Sequence, residues 1–190
     1  MTGSSTAPRP LRADAARNRR ALLDAAVEAF DRGGVSASLD DIAKAAGVGP
    51  GTLYRHFPSR DDLALAVIDD GLLALAELGD KLLTSTKPVA ALTDWLEAFI
   101  AQAGLFDGLA RTLVNPEAGN DTNCKRSKRA GAALLERAVA AGEVRDDIAS
   151  EDLLDISAAI AWLGDQGRGD AQRSRLLALV VDGLRRVPSA

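Results

Sequence analysis

The sequence predicts an all-α protein. Alanine and leucine are abundant, whereas segments in which valine, isoleucine and threonine alternate with polar residues are missing. Several long segments instead carry apolar residues at steps of three and four, the spacing that gives a helix one buried face. The chain has 190 residues and a hydrophobic fraction of 47%, so it can bury a substantial core as one large domain or two small ones.

The N-terminal segment combines small, polar and basic residues. Residues 1–13 include Arg9 and Arg12 and contain no acidic residue. This composition predicts a flexible basic arm, which would also suit phosphate contacts on a nucleic acid. A first helix is predicted from about Asp14 to Arg32, because apolar residues recur every four positions before a Gly-Gly stop. These residues are Leu22, Ala26 and Phe30.

Residues 38–57 predict two short helices joined by a tight turn. Ser38 suits a helix N-cap, and Asp41 three residues later completes a capping-box arrangement in which Asp replaces Glu or Gln. Gly47 tolerates the positive φ that ends a helix, and Pro50 suits the first turn of the next helix. This is the layout of a DNA-binding helix-turn-helix.

The second short helix has an anchoring face and a polar surface. Leu53 and Phe57 are four residues apart and predict its contact with the core. The other faces carry a hydroxyl, a phenol, a guanidinium and an imidazole, which contribute little to packing. These groups belong to Thr52, Tyr54, Arg55 and His56.

This stretch resembles the TetR family of bacterial transcriptional repressors over roughly residues 15–70. The resemblance rests on the runs 38–43, 46–48 and 51–60, and it departs from the family at Gly49-Pro50, where Ser followed by Lys or Arg is more usual. It implies that Thr52, Tyr54 and His56 reach base edges or phosphates, and that Ser38, Arg55 and Arg60 contact mainly phosphates. The full predicted DNA-contacting set is Ser38, Gly49, Pro50, Thr52, Tyr54, Arg55, His56 and Arg60.

Charge is distributed unevenly between the two parts of the chain. The net charge is −4, yet residues 1–60 carry nine Lys or Arg and six Asp or Glu, a net of +3. Residues 61–190 carry fourteen and twenty-one, a net of −7. A basic excess on the segment with the helix-turn-helix favours a nucleic-acid surface there. We therefore predict a DNA-binding domain at 14–60 and a helical regulatory and dimerisation domain at 61–190.

The second part of the chain predicts five or six further helices. The basic run 125–129 is interpreted as a solvated helix face rather than a second nucleic-acid patch, because it lies far along the chain from the recognition helix. The predicted helices span about 59–83, 88–104, 107–114, 123–141, 150–166 and 170–187.

By resemblance, the second part binds a small, largely apolar molecule. Bulky or polar side chains on the helices that the family uses for its pocket predict the site, although each residue taken singly is better explained as part of the core. They are Trp95, Phe99, Phe106, Asn115, Cys124 and Trp162.

The resemblance also implies a homodimer that forms through the last two helices. Apolar residues on these helices exceed what a single chain can cover, and a two-fold packing would use the same patch on both copies. Such a dimer would require a near-palindromic operator. The predicted interface residues are Ile156, Ala159, Ile160, Leu163, Leu176, Leu179, Val180, Gly183 and Leu184.

Other functional classes are less consistent with the sequence. The only histidine is His56, on the recognition helix, and the only cysteine is Cys124, so a catalytic triad, a typical zinc site or an intrachain disulfide is not expected. No nucleotide-binding glycine loop is present, and no cofactor is predicted. No membrane span or signal peptide is predicted, and we expect a cytoplasmic protein. The alternative is a helical protein-interaction module, and within the DNA-binding class an activator is the alternative to a repressor.

Overall fold

The computed structural model describes residues 9–33, 37–104, 122–163 and 169–186. Within these ranges the regular structure is helical apart from one isolated bridge, which confirms the predicted all-α class. Phe106, Asn115 and the short helix predicted at 107–114 lie outside the described residues. The eight described helices are α1 (Arg9–Gly33), α2 (Leu39–Ala45), α3 (Pro50–His56), α4 (Arg60–Leu82), α5 (Pro88–Gly104), α6 (Thr122–Ala140), α7 (Ser150–Leu163) and α8 (Asp170–Leu184).

The start of α1 corrects the predicted extent of the flexible arm. The helix begins at Arg9 instead of Asp14, so residues 9–13 of the predicted arm are helical. Pro10 is compatible with this start, because proline is tolerated in the first turn of a helix, where its missing N–H would have no partner. The glycine, serine and proline residues before Arg9 are typical of irregular segments, so the arm predicted from the sequence was too long.

The chain divides into two compact units, the first ending at Val67 and the second beginning at Ile68. This boundary lies seven residues beyond the predicted one, so α4 contributes residues to both units. In the first unit α1 packs on α2 and α2 packs on α3. Its core is formed by Leu22, Leu23, Ala26, Phe30, Ile42, Ala43, Leu53, Phe57, Leu63 and Val67.

The second unit is organised around α5, which packs on α6, α7 and α8. Trp95 is fully buried, and its indole Nε1 donates a hydrogen bond to the carbonyl of Leu75 in α4 at 2.9 Å. The ring also limits the approach of α6, since a Cβ on Gly131 would lie 2.5 Å from the Trp95 Cη2 atom. Glycine at 131 therefore lets α6 pack directly against the indole.

The C-terminal end of α8 is fixed by the loop between α6 and α7. The helix ends at Leu184, three residues before the predicted end, because the following backbone pairs with this loop. The Arg145 N–H donates to the Leu184 carbonyl at 2.9 Å, and the Arg186 N–H donates to the Glu143 carbonyl at 3.1 Å. Periodicity along α8 cannot reveal a pairing with a segment some forty residues away.

The basic run 125–129 lies on α6, where Arg126 pairs with Asp80 of α4 at 2.7 Å. Arg126 thus joins two helices of the second unit. This agrees with the interpretation of the run 125–129 as a helix face. No helix among the described residues is long and apolar enough to cross a membrane.

Candidate nucleic-acid interface and regulatory sites

The helix-turn-helix begins with the predicted N-cap. The Ser38 hydroxyl accepts a hydrogen bond from the Asp41 N–H at 3.3 Å, which satisfies a donor that α2 itself cannot pair. Asp40 and Asp41 lie in the first turn of α2, where negative charge complements the helix dipole. Ile42 and Ala43 are fully buried and fix α2 against the core.

The turn between the two short helices depends on Gly47. Its φ is +70°, a left-handed conformation that residues with a Cβ adopt at a cost. The Val48 N–H then donates to the Ala43 carbonyl at 3.0 Å, so the chain reverses within four residues of the end of α2. This turn sets the position of α3.

Helix α3 is held by two apolar side chains and one cation. Leu53 is fully buried and Phe57, at the C-cap, is 3% exposed. The guanidinium of Arg19 in α1 lies over the Phe57 ring, 5.4 Å from its centroid, in cation–π geometry. A seven-residue helix has little stability of its own, so these contacts position it.

The remaining surface of α3 is not covered by the described residues, so a partner molecule can reach it. Tyr54 is 49% exposed, Arg55 is exposed, and Thr52 and His56 are partly exposed. Gly49 and Pro50 are exposed at the start of the helix, and a Cβ on Gly49 would meet no atom within 4 Å. The predicted recognition residues thus lie on one short, firmly anchored helix.

Arg60 has an intramolecular partner that the sequence did not reveal. Its guanidinium donates a hydrogen bond to the backbone carbonyl of Ala37, the residue before the N-cap Ser38. The side chain is half-buried. Arg60 therefore joins the start of α4 to the segment that enters α2, and its phosphate contact stays a prediction.

Apart from Arg19 and Arg60, the described cations of the first unit fall into two groups. Arg17, Arg20 and Arg32 each form an ion pair with an acidic residue three or four positions away on α1. Lys44 and Arg55 are exposed and have no ion-pair partner among the described residues. Lys44, in the last turn of α2, was not in the predicted set. Its position within the helix-turn-helix could have identified it from the sequence, and we add Lys44 as a candidate phosphate contact.

The predicted ligand residues do not all come together. Trp95 and Phe99 are buried in α5 and stack with their ring centroids 5.6 Å apart, and Cys124 is buried in α6. Trp162 is instead 54% exposed on α7, so it is not buried together with Trp95 and Phe99, and its place in the ligand site stays a prediction. The spacing of apolar residues along α7 could not show whether the Trp162 side chain faces a pocket or the solvent.

All nine predicted interface residues line one groove between α7 and α8, with a volume of about 530 Å³. Ile156 and Leu179 are 45% and 69% exposed within the single chain. Ile160 and Leu184 are already buried and form part of the groove floor. The apolar face is therefore continuous, and only some of its residues remain for a second molecule to cover.

Comparisons with known proteins identify both parts of the chain. Residues 22–67 match the profile of bacterial regulatory proteins of the tetR family, and residues 87–186 match the C-terminal domain of SbtR-like transcriptional regulators. An HTH-type transcriptional regulator of Staphylococcus aureus is 44% identical over 63 residues, which are 33% of this chain and 34% of that protein. The chain thus spans about a third of the length of the curated relatives that it matches.

Solved structures extend the similarity over nearly the whole chain. The TetR transcriptional regulator SCO0520 from Streptomyces coelicolor is 38% identical, with a TM-score of 0.73 over 89% of this chain and 99% of that one. A TetR transcription regulatory protein from Mycobacterium vanbaalenii is 31% identical, with a TM-score of 0.68 over 93% and 100%. With both domain profiles matched and these two structures similar over nearly their full length, the chain belongs to the TetR family of transcriptional regulators.

Proposed function

We propose that this protein is a homodimeric repressor that binds a near-palindromic operator and is released from it by a largely apolar small molecule. The observation that carries the proposal is the surface of α3, where Thr52, Tyr54 and His56 flank two buried anchors. A phenol, a hydroxyl and an imidazole can bond to base edges in the major groove, which admits a helix of this kind.

Phosphate contacts would orient α3 in the groove. Lys44 and Arg55 form no ion pair within the described parts of the chain, and the Ser38 hydroxyl lies at the N-terminus of α2. Phosphate contacts supply affinity and register but carry no sequence information. We therefore assign sequence preference mainly to Tyr54, Thr52 and His56, and general affinity to the two cations.

The groove between α7 and α8 supports the homodimer. Leu179 and Ile156 are large apolar side chains exposed at this groove, and a second copy would cover both. Two copies present two recognition helices, so the operator should contain two inverted half-sites about one helical turn, roughly 34–36 Å, apart. Trp162 is exposed on the same helix, and we reassign it to this interface.

Release by a ligand follows from linkage between the two sites. A bound molecule lowers operator affinity if it favours a spacing of the two recognition helices that does not match the half-sites. By linkage, bound operator DNA lowers the affinity for that molecule by the same factor, typically ~5–150-fold. Trp95, Phe99 and Cys124 are the buried residues of the predicted set that support a site in the second unit. Phe106 and Asn115 remain proposed from the sequence.

A helical protein-interaction module is the rival function. Interaction helices of that type present apolar anchors at the contact face. The exposed face of α3 instead offers Arg55 and the partly exposed Thr52 and His56, with Tyr54 as its only large ring. This composition favours a nucleic acid as the partner.

Selection of bound sequences from random duplex DNA tests the proposal. We expect enrichment of an inverted repeat and an affinity that falls steeply with salt, because phosphate binding releases counterions. Recovery of no common motif, together with retention on heparin that does not depend on salt, would favour the protein-interaction alternative.

A further inference from the structure

Arg19 differs from the neighbouring arginines of α1 in having no acidic partner among the described residues. Arg17, Arg20 and Arg32 each form an ion pair with a carboxylate on the same helix, whereas Arg19 forms none. The sequence explains the difference. The positions three and four residues from Arg19 hold only alanine and leucine, so no carboxylate lies at the spacing at which helical side chains meet.

The aromatic ring of Phe57 fixes the place of this cation instead. The guanidinium carbon of Arg19 lies 5.4 Å from the centroid of the Phe57 ring. The ring is itself held firmly, because Phe57 is 3% exposed and its N–H donates to the Leu53 carbonyl of α3 at 2.8 Å. A long charged side chain of α1 is thereby kept at the C-terminal end of the recognition helix.

This place adjoins the predicted base-reading surface. His56 is the last residue of α3, and the centroid of its ring lies 6.2 Å from that of Phe57. The Arg19 guanidinium and the His56 imidazole therefore neighbour the same phenyl ring. A helix that lies in the major groove has a DNA backbone on each side, so a cation next to such a helix can meet a phosphate.

The hydrogen-bond donors of Arg19 are available for that contact. The residue is exposed, and its guanidinium donates to none of the described residues. A cation–π contact does not use the N–H groups of a guanidinium, which can donate to two phosphate oxygens together. Because the ring already restricts the side chain, less rotamer entropy is lost on binding than for an arginine that moves freely on the surface.

We propose that Arg19 contacts a backbone phosphate of operator DNA and is held in place for this contact by the Phe57 ring. The DNA-binding surface would then extend from the helix-turn-helix onto α1. The proposal rests on the DNA binding proposed above and adds a contact outside the two short helices. Since phosphates are the same in every sequence, Arg19 contributes affinity for any duplex and no sequence preference.

A purely structural contact with Phe57 is the alternative, and Arg19→Met separates the two. Methionine packs well on an aromatic ring but carries no charge. If Arg19 contacts a phosphate, the slope of log affinity against log salt concentration should become less steep by roughly 1 per subunit. The change should be the same for the selected operator and for a scrambled duplex. Arg19→Lys keeps the charge and should restore most of the slope.

Arg32→Met is the matched control. It removes an exposed arginine from the other end of α1, roughly 20 Å away along the helix, and should keep the wild-type slope. An unchanged slope in Arg19→Met, or an equal change in Arg32→Met, would overturn the proposal.

A second measurement locates the contact on the DNA. Single phosphates of the selected operator are replaced in turn by neutral methylphosphonates, and affinities are measured for the wild type and for Arg19→Met. We expect one position in each half-site at which neutralisation weakens the wild type roughly 2- to 10-fold but leaves Arg19→Met unaffected. If the wild type binds its operator and no such position exists, this proposal fails while the proposed function stands. Absence of operator binding by the wild type would overturn both.

Discussion

The guanidinium of Arg60 donates a hydrogen bond to the backbone carbonyl of Ala37, across 23 positions of sequence. The bond joins the first residue of α4 to the residue before the N-cap of α2. The side chain that the sequence suggested as a phosphate contact therefore also helps to hold the helix-turn-helix in its conformation.

Arg60→Ala should lower the stability of the first unit by about 1 kcal/mol, because it removes a hydrogen bond from a charged donor that is half-buried. It should also weaken binding to all DNA sequences about equally. Thermal unfolding and fluorescence anisotropy measure the two effects. Arg60→Lys keeps the charge but loses the planar fork. Full stability in the alanine variant would leave Arg60 with a phosphate role alone.

Gly131→Ala should destabilise the second unit by about 1–3 kcal/mol, since the new methyl group would collide with the Trp95 ring. The loss should be smaller in a Trp95→Phe background, where the ring is shorter. A double-mutant cycle measured by denaturant unfolding gives the coupling between the two positions. Independent, additive effects would show that the two side chains do not meet.

Ile156→Glu combined with Leu179→Glu should convert the dimer into folded monomers. Both side chains are exposed in the single chain, so charge there opposes association without disturbing the monomer core. Leu65→Glu, at a third exposed apolar position, is the matched control and should leave the dimer intact. Sedimentation velocity separates the species. A wild-type protein that is monomeric at micromolar concentration would contradict the proposed interface.

Gly183→Ala tests the same interface without introducing charge. A Cβ at this position meets no atom within 4 Å of the single chain, so alanine should stabilise an isolated monomer by up to about 1 kcal/mol through helix propensity. In the dimer the methyl group would face the second copy. We expect Gly183→Ala to stabilise the monomeric Ile156→Glu, Leu179→Glu protein. Introduced into the otherwise wild-type protein, the same change should weaken the dimer. Equal stabilisation in both backgrounds would place Gly183 outside the contact.

The helices could be predicted well wherever local signals were complete. Helix α5 begins at Pro88 and ends at Gly104, as predicted, because a proline in its first turn and a regular apolar stripe mark it. The predicted helix over about 59–83 likewise has a local start signal, because Ser59 and Asp62 form a capping box in which the Asp62 N–H donates to the Ser59 hydroxyl at 3.1 Å.

Features that depend on distant segments could not be predicted from the sequence. The end of α8 is set by pairing between Val144 and Arg185, and the partner of Arg60 is a carbonyl in another part of the chain. Trp162 and Trp95 occupy similar sequence environments, yet one is exposed and the other buried. Which side of a helix is covered is decided by its neighbours, and periodicity alone does not identify them.

The most direct test of the account is the contribution of Tyr54 to sequence discrimination. The affinities of the wild type, Tyr54→Ala and Leu65→Ala for the best selected operator and for a scrambled duplex would be measured by fluorescence anisotropy at one fixed salt concentration. Leu65 is an exposed apolar residue of α4 and serves as the matched control. We expect Tyr54→Ala to lose discrimination by roughly tenfold or more, Leu65→Ala to discriminate as the wild type does, and both variants to stay folded. Undiminished discrimination in Tyr54→Ala would contradict the assignment of α3 as the recognition helix.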